Sequence, residues 1–261
     1  MELDACSPWA VFRGNEHQLT IIENTLEMYI SQDVEHRCEH QLRPWVRSRA
    51  RGDVLYVLSG MLPICWPGTN FPRIWDAGQA ELDKRLGMLS SWGWRRYQLR
   101  AVREACIAQL GRGIVSVCCG GGKTRIAWGI AFCCGGTWQY VVYGRDIVRQ
   151  AADAFNALSS RYMPDGTQVD IQAWSWSKLP LWGAGVLVDE CHQAAAKNRS
   201  KKLLEGRWGW RVGLSGSVFD RTDGRNLLTA GFFSKVVAEV SNMELVEEGH
   251  LSLGKVHIVH F

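Results

Sequence analysis

The strongest constraint on this chain is the run VCCGGGKTR at positions 117–125. An apolar, strand-like stretch from Ile114 to Cys118 leads into Gly120, Gly121 and Gly122, and then into Lys123 and Thr124. Glycines let a backbone curl so that its N–H groups converge on an anion. A helix starting at Lys123 adds partial positive charge at the same point. The arrangement suits a nucleoside triphosphate. Lys123 is expected to reach the β- and γ-phosphates, and the Thr124 hydroxyl to ligate Mg²⁺. The turn from Cys119 through Arg125 is expected to line the nucleotide. The strict phosphate-loop pattern has glycine where Val117 stands. A glycine-rich turn with a chance Lys-Thr pair is the plain alternative.

A second segment weighs against that alternative. About 65 residues further on, VLVDECHQ runs from Val186 to Gln193. Three apolar residues form a buried strand that ends in two carboxylates, and ligands of parallel sheets sit at carboxyl ends of strands. Asp189 is expected to hold Mg²⁺, and Glu190 to orient and deprotonate an attacking water.

The layout around these segments indicates an α/β fold. After about residue 90, strand-like runs (GIVSVCC, QYVVYG, GVLVDE, RVGLSG, KVVAEV) alternate with helical stretches. Such alternation implies a parallel sheet flanked by helices on both faces. Residues 1–90 read as a small α+β domain, with a helix over Leu19 to Ile30. Residues 91–240 form the α/β domain, and 241–261 a trailing segment. No run approaches the roughly 20 apolar residues of a membrane span, so no membrane partner is expected. The acidic start lacks the layout of a secretory signal, which makes a cytoplasmic location the default.

The net charge of +4 permits a polyanionic partner without requiring one. Nine cysteines occur with no C-x-x-C spacing, and two adjacent pairs, Cys118-Cys119 and Cys133-Cys134, would bridge only under strain. They read as reduced, mostly buried thiols. His36, Cys38 and His40 alternate, but no second ligand cluster accompanies them. The thirteen tryptophans are expected mainly in core and interface positions.

Five further motifs fall in a consistent order, and together they resemble superfamily 2 helicases over residues 95–261. RRYQLRA at 95–101 is similar to the adenine-reading region, which assigns Gln98 to the adenine edge with Tyr97 and Arg95 nearby. VVYGRDIVRQ at 141–150 resembles motif Ia, and IQAWSWSKL at 171–179 motif Ib. DECH is motif II, where the resemblance gives His192 a role in relaying nucleotide state. GLSGSVFDRTDGR at 213–225 is similar to motif III, with Ser215, Gly216 and Ser217 as the coupling residues. The DECH box, GLSGS and the ELVEEGHLS tail look most like the UvsW-type phage helicases.

The resemblance implies a RecA-like ATP-binding domain using ATP and Mg²⁺ and working on single-stranded or branched DNA. It implies a small DNA-binding domain ahead of it, and a second RecA-like domain, in cis or in trans, that supplies arginine fingers. If the source is a phage, the location becomes the bacterial host cytoplasm. Candidate backbone contacts are Arg145, Ser175, Ser177 and Lys178. In RPWVRSRARGD, an extended backbone would line Arg43, Arg47, Arg49 and Arg51 along one face with Trp45. The same pattern also suits a solvated edge strand that uses charge against aggregation. Trp174 and Trp176 alternate on the Ib strand and serve equally as core fillers. Two other readings stay open: a double-stranded DNA translocase such as a restriction motor subunit, and a nucleotide-dependent DNA-binding module without turnover. An RNA track is also open.

Overall fold

A computed structural model describes residues 2–3, 7–33, 45–48, 54–66, 69, 78–163, 165–218 and 225–252. The strands are β1 (Glu2–Leu3), β2 (Trp9–Arg13), β3 (Trp45–Ser48), β4 (Val54–Leu58), β5 (Arg112–Val117), β6 (Trp138–Val142), β7 (Ile171–Ser175), β8 (Trp182–Asp189), β9 (Arg207–Ser215) and β10 (Val236–Val240). The helices are α1 (Glu16–Asp33), α2 (Leu62–Cys65), α3 (Gln79–Ser91), α4 (Arg96–Cys106), α5 (Lys123–Cys134), α6 (Arg145–Tyr162), α7 (Lys197–Glu205), α8 (Asn226–Phe233) and α9 (Asn242–Glu247).

The apolar runs form a six-stranded sheet in the order β10-β5-β9-β8-β6-β7. Every neighbouring pair is parallel. Side chains alternate between two cores, as a pleat with helices on both faces demands. Val186 and Val188 point to one face with Ile114 and Val141. Leu187 points to the other with Val115, Val117, Tyr140 and Val142. The expected RecA-like α/β architecture is therefore present. β9 separates β5 from β8, and all three end level with one another: Ser215 pairs with Ser116 and Leu214 with Asp189.

The N-terminal region is a four-stranded antiparallel sheet, β1-β2-β4-β3, with α1 packed in its core through Leu19 and Leu26. Its core also contains Leu110, Leu227 and Ala230 of the α/β region. Gly60 makes this docking possible, because a Cβ there would meet the Ala230 carbonyl at 2.5 Å and the Gly231 carbonyl at 2.6 Å. Arg112, fully buried, spans the junction. It donates to Ser59 Oγ at 3.3 Å, to the Ser7 carbonyl at 3.1 Å and to the Gly209 carbonyl at 2.6 Å.

Packing changes partner earlier than residue 90. Leu82 and Leu89 of α3 join the core of α4 and α5. The trailing segment begins as part of the same core, through Leu245 and Leu251. Five aromatic side chains from the α3–α4 turn, α5 and α6 pack together, with Trp92 stacked on Tyr162 at 5.0 Å and Trp128 on Phe132 at 5.4 Å. Trp128, Trp138 and Trp208 are fully buried, consistent with a mainly structural use of tryptophan. The described cysteines are free thiols. No metal-binding cluster occurs among the described residues, and His36, Cys38 and His40 lie outside them. No helix among the described residues is long and apolar enough to cross a membrane.

Candidate functional site

The glycine turn after β5 has the backbone its composition requires. Gly120 and Gly122 both have φ of 82°, in the left-handed region. Gly121 lacks that φ but has no room for a side chain, since a Cβ would lie 2.5 Å from Val117 Cγ1. The Gly121 amide donates to the Cys118 carbonyl at 3.1 Å, which tightens the turn. Gly122 precedes the first residue of α5, so Lys123 and Thr124 sit in its first turn. Cys119 is exposed beside them.

Across the intervening end of β9 lie the two carboxylates. The Lys123 ammonium donates to Glu190 Oε1 and stands 3.8 Å from Asp189 Oδ1. Glu190 has φ 48° and ψ 54°, an uncommon left-handed conformation for a residue with a side chain. Such backbone costs on the order of 1–3 kcal/mol and persists only where neighbours hold it. Here Ser215, at the end of β9, donates from Oγ to Glu190 Oε2 at 3.1 Å. His192 Nδ1 lies 2.9 Å from the same hydroxyl. The Ser217 amide also donates to Ser215 Oγ, at 3.2 Å. The structure thus brings together Lys123, Asp189, Glu190, His192, Ser215, Gly216 and Ser217, with Thr124 beside Lys123.

The charges in this cluster hold one another in ionised form unevenly. Burial pushes Asp189 above its ordinary value, against the pull of Lys123. Burial also acts upward on Glu190, but the hydrogen bond and charge of Lys123, with Ser215, outweigh it and leave Glu190 low. Burial acts downward on Lys123, and the two carboxylates reverse that, so its pKa rises.

Tyr140 is a member of the site that sequence reading missed. Its ring is 1% exposed on β6, and its hydroxyl lies close enough to Thr124 and the Asp189 carboxylate to interact with both. In sequence it is one apolar-looking residue of a core strand. Only the parallel pairing of β6 with β8, which sets Tyr140 beside Leu187, carries the phenol up to Asp189.

Several expectations need correction. Arg125 does not face the glycine turn. Its guanidinium lies 4.6 Å from the Trp94 ring and donates to Tyr162 Oη at 2.7 Å. Two residues along a helix rotate a side chain by about 200° away from Lys123. Gln98 is 3% exposed, and its amide is committed within the fold. Oε1 accepts from the Arg95 amide at 3.2 Å, and a Cβ on Gly122 would lie 3.0 Å from Nε2. Tyr97 is inside the core, 5.9 Å from the His250 ring, with its hydroxyl accepting from Arg95 at 3.1 Å. Gln98 and Tyr97 therefore brace the turn from behind, and only Arg95 of the three is exposed.

Arg145, Ser177 and Lys178 are exposed, and Ser175 half-buried, at the far end of the sheet beyond β6 and β7. Ser175 Oγ and Ser177 Oγ are 3.1 Å apart. Trp174 donates to Gln139 at 2.6 Å and packs on the core, as does Trp176. Arg47 lies in β3, opposite Leu55. Arg43, Arg49 and Arg51 fall outside the described residues, as does the part of motif III from 219 to 224.

No protein-family profile matches this chain, and no curated protein does. Solved structures do resemble it. The UvsW helicase from bacteriophage T4 is 19% identical with a TM-score of 0.42; the match covers 56% of this chain and 60% of that one. The type ISP restriction-modification enzyme LlaGI, solved with a DNA substrate mimic, is 14% identical with a TM-score of 0.47, over 60% of this chain and 20% of that one. The Hef helicase domain from Pyrococcus furiosus is 14% identical with a TM-score of 0.45, over 61% of this chain and 41% of that one. The chain thus spans 60% of the length of the T4 structure and less of the others.

Proposed function

We propose that this chain is the ATP-binding half of a superfamily 2 DNA motor, most like the UvsW type, that remodels branched or duplex DNA in repair or recombination. One observation carries the reading. A curled glycine turn presents Lys123 directly to Asp189 and Glu190, while Ser215 at the end of β9 and His192 just after β8 close the ring.

The residues fit ATP and Mg²⁺. The two carboxylates stand against the Lys123 ammonium as phosphate oxygens would, and left-handed glycines leave the turn free of side chains. Bound Mg²⁺ supplies charge neutralisation at the phosphates. Lys123 exchanges its carboxylate partners for phosphate oxygens, which frees Glu190 Oε1. Glu190, still held at Oε2 by Ser215, orients the attacking water and takes its proton. Thr124 and Asp189 would hold the metal, with the Tyr140 hydroxyl beside both. Ser215 and His192 report the state of Glu190 to the rest of the motor. A second RecA-like domain, in cis or in trans, is the partner that completes the site, so the chain by itself binds ATP and turns it over slowly.

Titration with a fluorescent ATP analogue tests this. Binding should require Mg²⁺ and weaken about 100-fold or more in Lys123→Ala, because a charge-assisted phosphate contact is lost. Glu190→Gln should retain nucleotide and tighten DNA binding; unchanged DNA binding would favour a passive nucleotide-dependent module. Equal affinity of wild type and Lys123→Ala would remove the reading.

A further inference from the structure

The surface beyond β6 and β7 carries an aromatic feature that the phosphate site does not use. Tyr143, at the end of the β6 segment, is 67% exposed. A single exposed aromatic ring is ordinary and needs no explanation. Tyr143 is not single. The Arg199 guanidinium from α7 lies 4.9 Å from its ring centroid and 5.8 Å from that of Trp176. Arg199 is held in place: Nη1 donates to the Gln193 carbonyl at 3.1 Å and to Gln193 Oε1 at 3.0 Å. Arg199 thus backs one face of a ring that stays open on its solvent side, and Trp176 extends the row.

Positive charge surrounds the row. Arg145 and Lys178 are exposed, and Lys202 donates to the Ser177 carbonyl at 3.0 Å. The nearby acid on α6, Asp146, is 3.8 Å from Arg149. Phosphate alone is bound by charge and needs no ring. A planar side chain backed by arginine gains energy only from a base whose face is free, and duplex bases already stack on one another. From this we infer that Tyr143, stiffened by Arg199 and flanked by Trp176, is a stacking platform for bases of single-stranded nucleic acid, and that the chain prefers single strands over duplex. The inference builds on the proposed motor reading by choosing among its possible tracks. Deoxyribose and ribose strands present the same base faces, so both belong to the proposal.

Fluorescence anisotropy of the full chain without nucleotide tests it. The probes are an oligothymidylate of about 20 nucleotides, its oligouridylate counterpart, an abasic strand of equal length, and a matched duplex. Tyr143→Ala should weaken binding of the thymidylate about tenfold and of the duplex less than twofold. Tyr143→Phe, which keeps the ring, should restore it. Wild type should bind the abasic strand about as weakly as Tyr143→Ala binds thymidylate. Equal loss on oligouridylate means the platform takes either sugar; loss on one strand type narrows it to that type. The proposal is overturned if wild type binds abasic and thymidylate strands alike, if Tyr143→Ala changes nothing, or if no single strand binds. Nucleotide titration of the same preparations separates the two readings. A chain that grips thymidylate through Tyr143 but ignores ATP keeps this inference and loses the motor; one that binds Mg-ATP with no effect at Tyr143 does the reverse.

Discussion

Two ends of one sheet edge are built on opposite plans. Where β5, β9 and β8 end, the polar groups are turned on one another: Lys123 to Glu190, Glu190 to Ser215, Ser215 to His192, Tyr140 to Asp189. Where β6 and β7 end, Tyr143, Arg145, Ser177 and Lys178 face solvent. The first end has a fixed geometry that a compact ligand must match. The second offers flat, repeated, positively charged contacts, which suits a polymer that slides. A parallel sheet places both on one rim, and the segment from Glu190 through Gln193 to Arg199 runs between them.

The contrast is sharpened most by disturbing the crowded end. Gly121→Val should give the largest effect, because its side chain would meet Val117 at 2.5 Å. Overpacking of this kind costs about 1–3 kcal/mol. Thermal denaturation should show a clear drop in melting temperature, together with loss of nucleotide binding. Tyr140→Phe should act more gently. It removes the hydroxyl beside Asp189, a polar contact worth about 1 kcal/mol, and should raise the Mg²⁺ concentration needed for nucleotide binding about fivefold. Affinity at saturating Mg²⁺ should stay close to wild type, which separates metal positioning from general damage.

The pH profile of stability should show the same asymmetry. Glu190 titrates below its ordinary value of 4.5 in the folded chain, so its contribution is present above that value and lost as pH falls through the folded pKa. Lys123 titrates above 10.5, so its contribution is present below that value and lost as pH rises through the folded pKa. Asp189, shifted up, works against folding when ionised and is relieved on acidification. Glu190→Gln should therefore lose less stability than wild type as pH drops below about 4.5, measured by melting temperature across a pH series. The smallest effect belongs to the open end. Lys178→Ala should weaken single strands and duplex alike, about twofold to threefold, with a shallower salt dependence, since it loses one phosphate contact.

What the sequence revealed follows the same division. That the glycine turn and the acidic pair after β8 belong together could be read because each is a run of consecutive residues after an apolar strand. Tyr140 could not, since its partners sit on α5 and β8 and meet it only through strand pairing. Arg199 could not either, because the ring it backs belongs to another strand end. Arg125 was misplaced by adjacency, as helix rotation sends it into the Trp94 and Tyr162 cluster. Gln98 was read from a motif, while its burial and its bond to the Arg95 amide make it a brace.

A double-mutant cycle between Lys123 and Asp189, read out as Mg-ATP affinity, is the most direct test of a single site spanning β5 and β8. Lys123→Ala, Asp189→Asn and the double variant should be strongly non-additive, with the double variant scarcely weaker than the worse single one. Purely additive losses, as expected for residues with no shared ligand, would contradict the account.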